Sequence, residues 1–278
     1  MAKLIGGITT SHVPAIGRAL ARNSQDQPYW KPFFDAYLPV HAWLEANRPD
    51  VLVVFYNDHG LNFFLDKMPT FAVGAAPRYE TGDEGWDLPP LPGFDGDLDL
   101  SWHLIDQLVA RDFDVTSCQE MRVDHAVSLP MAVLWPGQVW PVRIVPVCIN
   151  TVQFPLPSAR RCLALGAAVG DAIRGWKSDQ RVAVLGTGGL SHQLDGERAG
   201  HINPEFDLRF MDSLVDDPAW AAQFSIPELV EKAGTQGVEL LMWLATRAAL
   251  GGPVRCLHRN YHIPISNTAS GLMLLEPV

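Results

Sequence analysis

Three histidines directly follow strand-like segments of the sequence. His12 comes just after the run Lys3–Thr9, His59 ends VLVVFYNDH, and His192 ends VAVLGTGGLSH. Ligands in open α/β sheets bind beyond the carboxyl ends of strands, so the three imidazoles are predicted to converge on one site. A single histidine in such a place is more often a loop residue that satisfies a hydrogen bond. Three of them together favour a chemical role. The histidines alone do not indicate a particular kind of site, and a carboxylate beside them would.

One glutamate, Glu239, lies in a segment that is apolar nearly all round. The segment reads GVELLMWLATRAAL, and the residues three and four positions after the glutamate are Met242 and Trp243. These neighbours share its helical face, so the carboxylate is predicted to be buried and to need a partner. An arginine would satisfy it, and so would a helix start, with which Gly237 is compatible. A metal ion is the sharper hypothesis, because it neutralises the charge and explains the burial.

His12, His59 and Glu239 together form the predicted metal site. Two histidines and one carboxylate on one face of a metal leave adjacent coordination positions open, which is typical of non-haem iron(II) oxygenases. The same ligand types also hold catalytic zinc. These residue types therefore leave both metals open.

Two histidines, His125 and His192, are left over once the metal ligands are assigned. Histidine titrates near neutral pH, so both suit proton transfer beside a metal. For His125, a packing or helix-capping role of the Asp124–His125 pair is an equally good interpretation. The glycine-rich run Gly186–His192 fits neither a phosphate-binding loop nor a nucleophile elbow. Its glycines are predicted to let the backbone pass close to a bound ligand.

Strand-like and helical segments alternate along the chain. The predicted strands are Lys3–Thr9, Val51–Tyr56, Phe71–Gly74, Val142–Ile149, Val182–Leu185 and Leu272–Glu276. The predicted helices lie near Trp30–Asn47, Asp99–Ala110, Ser158–Trp176, Glu205–Val215 and Gly237–Leu250. This alternation predicts an α/β fold with a central sheet covered by helices on both faces. One catalytic domain, residues 1–278, is the simplest division, with Arg78–Asp97 as an ordered surface excursion.

Composition excludes several classes of function. Hydrophobic residues make up 47% of the 278 residues and charged residues 19%, which is typical of a globular protein with a sizeable core. The 31 acidic and 21 basic residues give a net charge of −10, and no basic run stands out, so nucleic-acid binding is disfavoured. No secretory signal or membrane span is predicted, and the four cysteines form no CxxC pair, so a cytoplasmic protein is expected.

The order of motifs along the chain resembles the class III extradiol ring-cleaving dioxygenases, and most of all the catalytic beta subunit of protocatechuate 4,5-dioxygenases. The matching segments are TTSHVPAIG, YNDH, DEGW, VDH, GTGGLSHQL, INPEFD, GVELLMWL and YHIPISNTA. They cover nearly the whole chain. The resemblance implies the family's mixed α/β fold, with iron(II) as cofactor. It also implies ring cleavage by dioxygen of a catechol-type aromatic acid: protocatechuate, gallate or a methoxylated analogue.

The resemblance further implies a role for each matching residue. It places the iron(II) ligands on His12, His59 and Glu239, the acid–base residue on His192, a histidine that hydrogen-bonds substrate or oxygen on His125, and the contacts to a substrate carboxylate on Ser266 and Asn267. Two neighbouring residues depart from the family. Ala126 and Ile265 stand where relatives often carry glycine and alanine, so the identity of the substrate stays open.

Relatives of this family cover the active site in different ways, by an extra lid domain or by a separate small alpha subunit. A small alpha subunit, or a second copy of this chain, is therefore expected to cover the site here. Two alternatives remain: a zinc-dependent hydrolase on the same three ligands, and a non-catalytic, Memo-like metal-binding scaffold. The presence of both His125 and His192 argues against a scaffold, which has no need of proton transfer.

Overall fold

A computed structural model of the chain describes residues 1–85, 91–265 and 267–278. Its strands are β1 (Lys3–Thr10), β2 (Val51–Tyr56), β3 (Phe71–Gly74), β4 (Arg78–Thr81), β5 (Phe94–Asp95), β6 (Thr116–Cys118), β7 (Arg122–Val123), β8 (Arg143–Ile149), β9 (Arg181–Thr187), β10 (Val254–Ile265) and β11 (Thr268–Pro277). Its α-helices are α1 (Pro14–Ala21), α2 (Lys31–Asp35), α3 (Leu38–Asn47), α4 (Leu98–Val109), α5 (His125–Leu134), α6 (Ala159–Gly175), α7 (Pro204–Asp216), α8 (Ile226–Ala233) and α9 (Leu240–Leu250).

A mixed eight-stranded sheet forms the centre of the fold, in the order β10-β11-β1-β9-β2-β8-β3-β6. Strands β1, β9, β2 and β8 run parallel to one another, so their carboxyl ends share one edge. Strand β11 pairs antiparallel with β1, and β10 with β11. A small second sheet has the order β5-β4-β7. The predicted mixed α/β architecture is confirmed.

Helices cover both faces of the large sheet, and β2 illustrates why. Val51, Val53 and Phe55 pack into one apolar cluster with α4, α6 and α9, whereas the alternate residues of β2 pack into a second cluster with α1, α3 and α5. Side chains of a strand alternate between its two faces, so both faces of this strand must be apolar. Each fully buried aliphatic or aromatic side chain of this kind contributes about 1.5–3 kcal/mol to stability.

The structure adds short strands and helices to the predicted ones, and two of its differences from the sequence prediction have a clear physical reason. The predicted helix Trp30–Asn47 is divided into α2 and α3, because Pro39 lies in the first turn of α3, where a residue without an N–H is tolerated. The sequence pattern does not predict β10, an edge strand whose Arg255 and Arg259 are exposed to solvent. Among the described residues, no helix is both long and apolar enough to cross a lipid bilayer.

Candidate active site

The three histidines that follow strands lie around the carboxylate of Glu239. Strands β1, β9 and β2 are parallel neighbours, so His12, His192 and His59 leave the sheet at the same edge. The Nε2 atom of His12 is 3.4 Å from Oε2 of Glu239, and that of His59 is 3.5 Å from Oε1. The Nε2 atom of His192 is 4.0 Å from Oε2. Residues far apart in the chain thus meet at one carboxylate.

Glu239 is buried at the start of α9, with 5% of its surface exposed. Its Oε2 accepts the backbone N–H of Gly189 at 3.0 Å, and its Oε1 accepts the side-chain amide of Asn57 at 3.2 Å. In the described ranges it forms ion pairs with histidines alone, and its side chain caps no helix. Burial raises the pKa of this carboxyl, but His12 and the other imidazoles outweigh burial and hold the pKa well below its usual range.

The imidazole of His192 has a defined tautomer. Its Nδ1 lies 3.0 Å from the carbonyl oxygen of Leu190, which can only accept a hydrogen bond. Nδ1 therefore carries the proton, and the lone pair of the neutral ring is on Nε2, on the side of Glu239. A ring held in this way is ready to accept a proton at Nε2.

His12 is also positioned by a neutral partner. Its Nδ1 is 3.2 Å from the hydroxyl of Thr187, at the end of β9. Burial lowers the pKa of His12, although Glu239 opposes this shift, so the neutral ring is favoured. A neutral imidazole is the form that binds a metal.

His59 is positioned by a carboxylate instead. Oδ2 of the buried Asp124 accepts the backbone N–H of His59 at 2.8 Å and its ring Nδ1–H at 2.9 Å. The other oxygen, Oδ1, accepts the N–H of Ala126 and caps α5. Asp124 thus caps α5, which is one of the interpretations left open for the Asp124–His125 pair, and it also orients His59. Burial lowers the pKa of His59, but Asp124 and Glu239 outweigh it and raise that pKa.

His125 has a carboxylate partner of its own, Glu84. Oε2 of Glu84 accepts the backbone N–H of His125, and Oε1 accepts its ring Nδ1–H, both at 2.7 Å. The His125 ring centroid lies 4.2 Å from that of His59 and 5.3 Å from that of His12. His125 therefore belongs to the same group of imidazoles as the residues around Glu239.

Gly188 allows the glycine-rich loop to pass directly beside Glu239. Its φ of +100° is rarely adopted by other residues, and a Cβ atom there would lie 2.7 Å from Cβ and 2.9 Å from Oε2 of Glu239. The glycine is therefore required by a side chain of the site. The sequence predicted such a close approach, but to a bound ligand.

Asn267 lies at the turn between β10 and β11 and is exposed. The next residue, Thr268, pairs with His192, and the N–H of Ala269 donates to the carbonyl of Ser191 at 3.0 Å. The backbone thus brings Asn267 to the His192 loop. Ser266, the other predicted contact to substrate, lies outside the described residues.

The donor set around Glu239 fits a divalent metal ion. One ring nitrogen from each of His12, His59 and His125 lies within 4.8 Å of the others, and the Glu239 carboxylate faces the first two. A buried anion surrounded by imidazoles gains its counter-charge from a metal held by two histidines and one carboxylate. His59 donates its Nδ1–H to Asp124, as metal-binding histidines commonly do to a carboxylate.

A model of the family described as the catalytic LigB subunit of aromatic ring-opening dioxygenase matches residues 6–271. The chain belongs to this family. The family resemblance of the sequence and the predicted class of enzyme, an aromatic ring-cleaving dioxygenase, are thereby confirmed. His12, His59, His125, His192 and Glu239 all lie within the LigB match.

Relatives within the LigB family act on different catechols. The chain is 40% identical to gallate dioxygenase of Pseudomonas putida over 195 residues, which cover 70% of this chain and 57% of that enzyme. It is 32% identical to 2,3-dihydroxyphenylpropionate/2,3-dihydroxicinnamic acid 1,2-dioxygenase of Xanthobacter autotrophicus over 287 residues, covering 85% of this chain and 88% of that enzyme. The match thus spans less than two thirds of the gallate enzyme.

The fold also occurs in a solved structure of distant sequence. The crystal structure of an uncharacterized protein from Escherichia coli K12 superposes with a TM-score of 0.53 at 14% identity, covering 97% of this chain and 99% of that one. This likeness concerns the fold alone.

Three residues of the site carry no predicted ligand or catalytic role. Asn57 and Glu84 occur in the motifs YNDH and DEGW, and Asp124 precedes His125, but their contacts join segments distant in sequence. Asn57 and Asp124 lie within two residues of a predicted histidine, and this was the available signal, whereas Glu84 has no predicted histidine near it in the sequence. The distant partner of each residue depends on how the strands pair.

Proposed function

We propose that this chain is a non-haem iron(II) extradiol dioxygenase that opens the ring of a catechol-type aromatic acid and incorporates both atoms of dioxygen. His12, His59 and Glu239 are the metal ligands, and residues 1–278 act as one catalytic domain. The observation that carries the proposal is the buried Glu239 carboxylate, which faces imidazoles instead of an arginine or lysine among the described residues. The names of the LigB relatives support the reaction type.

Iron(II) held there would supply Lewis acidity toward the substrate hydroxyls and the capacity to exchange electrons with dioxygen. The ligand set also suits zinc, which would support hydrolysis. Two imidazoles beyond the three ligands favour a reaction in which protons are moved, and the relatives named as dioxygenases favour iron.

His192 is the acid–base residue of the proposed reaction. Since the Leu190 carbonyl accepts its Nδ1–H, Nε2 is the atom that takes a proton from a substrate hydroxyl. The same atom returns the proton to the product after the ring opens. Proton transfer by a positioned histidine typically accelerates a reaction by about 10²–10⁴-fold.

His125 hydrogen-bonds the reacting oxygen atoms from the other side of the site. Its ring is edge-on to His12 and lies tilted by 30° beside that of His59, so it borders the space that a substrate bound at the metal would occupy. A group fixed there stabilises charge that develops during ring opening.

Ser266 and Asn267 orient the carboxylate of the substrate with neutral donors. Asn267 is exposed and joined through Thr268 to the His192 loop, so a ligand entering from solvent reaches it. Neutral donors suit a chain with a net charge of −10, in which no basic run is available for an acidic substrate.

The proposed enzyme is cytoplasmic and works with a partner that covers the site, either a small alpha subunit or a second copy of the chain. The four cysteines are free, as expected in a reducing compartment. Exposure of Asn267 at the rim of the site is consistent with a cover supplied by another chain.

Anaerobic loading with iron(II), followed by oxygen uptake with a panel of catechols, tests the proposal. The panel contains protocatechuate, gallate, a methoxylated analogue and 2,3-dihydroxyphenylpropionate, each with and without a candidate alpha subunit. Uptake of one O₂ per ring opened is expected with iron(II). Zinc-loaded protein is the matched control and should consume none. Hydrolytic activity with zinc and no oxygen uptake with iron would contradict the proposal.

A further inference from the structure

We propose that Glu84 is a positioning residue for His125, and that it fixes the tautomer and orientation with which His125 meets the substrate. This inference rests on the proposed function for its catalytic consequence. Its structural part stands on the two hydrogen bonds between these residues. Glu84 is supplied by the Pro-, Gly- and Asp-rich excursion of the chain, which is thereby joined to the site.

Strand pairing explains how Glu84 comes to lie against His125, 41 positions away in the sequence. Strands β4 and β7 are parallel, and Thr81 is paired with Val123. The segments that follow β4 and β7 therefore leave the small sheet in the same direction. Glu84 follows its strand by three residues and His125 follows its strand by two, so they emerge side by side.

The contact between Glu84 and His125 has the geometry of a fixed support. One carboxylate oxygen accepts the backbone N–H and the other accepts the ring Nδ1–H, each at 2.7 Å. The Glu84 side chain is 12% exposed and that of His125 is 4% exposed, so water competes little for these bonds. Two charge-assisted hydrogen bonds from one carboxylate fix both the main chain and the ring of the same residue.

The position of His125 in its helix adds a second reason for an anion at this place. His125 is the first residue of α5, whose initial N–H groups have no partner within the helix. Asp124 accepts the N–H of Ala126, and Glu84 accepts that of His125. Glu84 therefore completes the cap of α5 while it orients the ring.

The consequence for His125 concerns which nitrogen faces the substrate. A carboxylate can only accept, so Nδ1 carries a proton and Nε2 is left for the side of the ring turned away from Glu84. Without Glu84, no carboxylate favours the Nδ1–H tautomer of the ring, and the correct nitrogen faces the substrate only part of the time. Turnover then falls although the substrate still binds.

Histidine tautomers in the metal-free protein give a readout that is independent of turnover. In two-bond ¹H–¹⁵N NMR spectra of histidine-labelled protein, His125 of the wild type is expected to show a protonated Nδ1. In the Glu84→Ala variant we expect a mixture of tautomers at His125. Glu80→Gln is the matched control, because Glu80 lies on β4 of the same excursion, is exposed and contacts Arg78 instead. It should keep the wild-type spectrum.

Kinetics of the iron-loaded variants then test the catalytic part. Glu84→Ala is expected to lower kcat by about 10- to 100-fold, as loss of an orienting carboxylate commonly does, with KM and metal content unchanged. Glu84→Gln keeps one acceptor oxygen and should fall between this variant and the wild type. Glu80→Gln should match the wild type.

Two results would overturn the role of Glu84. One is a Glu84→Ala variant that retains the wild-type tautomer and kcat. The other is a loss of thermal stability with kcat unchanged, which would make Glu84 a helix cap only. A wild-type protein that cleaves no catechol would contradict the proposed function instead, and the tautomer comparison would still decide whether Glu84 positions His125.

Discussion

The site has two halves that hold their imidazoles by different means. In the strand half, His12 and His192 bond through Nδ1 to a threonine hydroxyl and a backbone carbonyl, and Glu239 accepts a backbone N–H. In the carboxylate half, His59 and His125 each donate Nδ1–H to an anion, Asp124 and Glu84. His12 and His192 follow β1 and β9 of the main sheet. His59 follows β2 of the same sheet, and His125 is the first residue of α5.

The difference indicates how each imidazole ring is held in position. His12, His192 and His59 all follow strands of the main sheet, so the halves differ in the partner of each ring and not in the support from a strand. In the strand half the partner is a neutral group, whereas in the carboxylate half each ring is held by a hydrogen bond to a charged carboxylate, which is stronger. A single substitution of a residue that holds an imidazole should therefore lower metal affinity or turnover more in the carboxylate half than in the strand half.

Glu239→Gln replaces the proposed metal ligand whose carboxylate faces both His12 and His59, and it should have the largest effect on metal binding and turnover. The amide has no charge to balance a divalent ion, so the purified variant is expected to lose tightly bound metal and all measurable turnover. Metal analysis after gel filtration checks this. Glu231→Gln, on the exposed surface of α8, is the control and should retain metal. Full metal occupancy in the Glu239→Gln variant would show that Glu239 is not a metal ligand.

His192→Phe removes the proposed acid–base residue of the strand half. We expect kcat to fall by about 10²–10⁴-fold while metal content stays at the wild-type level. His103→Phe is a matched control, since His103 also bonds a backbone carbonyl, that of Ala172, but lies on α4. Normal turnover in His192→Phe would assign proton transfer elsewhere.

Asp124→Asn and Thr187→Val compare the two kinds of support directly. Asparagine keeps the cap of α5 but removes the charge beside His59, and metal affinity should fall by about 10- to 100-fold. Valine removes the neutral partner of His12, with a smaller loss expected. Competition with a chelator measures both affinities. Equal losses would erase the distinction between the halves.

Gly188→Ala and Gly60→Ala separate backbone strain from contact. Both glycines have positive φ, so alanine costs roughly 1–2 kcal/mol of stability at either place. A Cβ at Gly60 meets nothing within 4 Å, whereas at Gly188 it would press on Glu239. We expect Gly188→Ala to cost about 1–3 kcal/mol more in chemical unfolding. A smaller cost than that of Gly60→Ala would mean that the backbone of the glycine-rich loop shifts to accommodate the added Cβ atom.

Asp207 is a buried carboxylate behind the strand half. Its replacement should have the smallest effect of the substitutions described. It accepts the N–H and hydroxyl of Ser191 and the hydroxyl of Tyr261. Burial raises the pKa of Asp207, although these hydrogen bonds oppose the shift. The folded chain therefore binds this proton more tightly than the unfolded chain.

The stability contributed by the Asp207 carboxyl is thus fully present below about pH 4, the range of an unfolded aspartate, and is lost as pH rises through the folded pKa. Asp207→Asn removes this dependence. Unfolding free energies of both proteins between pH 4 and pH 7 should show the advantage of the wild type shrinking as pH rises. An advantage that grows would reverse the sign of the shift.

The central sheet was predictable from the sequence because its strands are nearly continuous apolar runs. All six predicted strands occur, with shifts of a few residues at their ends. Strand β10 was not predictable in this way. It lies at the edge of the sheet, where one side is open to solvent, and its sequence contains arginines and histidines. Helix α5 was hidden by Pro130 within it.

Of the site, the sequence predicted the residues that stand at strand ends or on an apolar helix. His12, His59, His192 and Glu239 are of this kind, and the structure places them together. Their chemical roles stay predictions. Glu84 was not predictable as a partner of His125, because that contact depends on which residue of β4 pairs with which residue of β7.

Strand β11 has a consequence for biosynthesis. Gly7 near the start of the chain pairs with Leu275, and the same strand leads into the turn beside His192. During translation, β1 emerges from the ribosome long before this neighbour exists, and one edge of it stays open to wrong pairing with other nascent chains. Because contacts of such large sequence separation form slowly, the pairing of β11 with β1, and with it the turn beside His192, is expected late in folding.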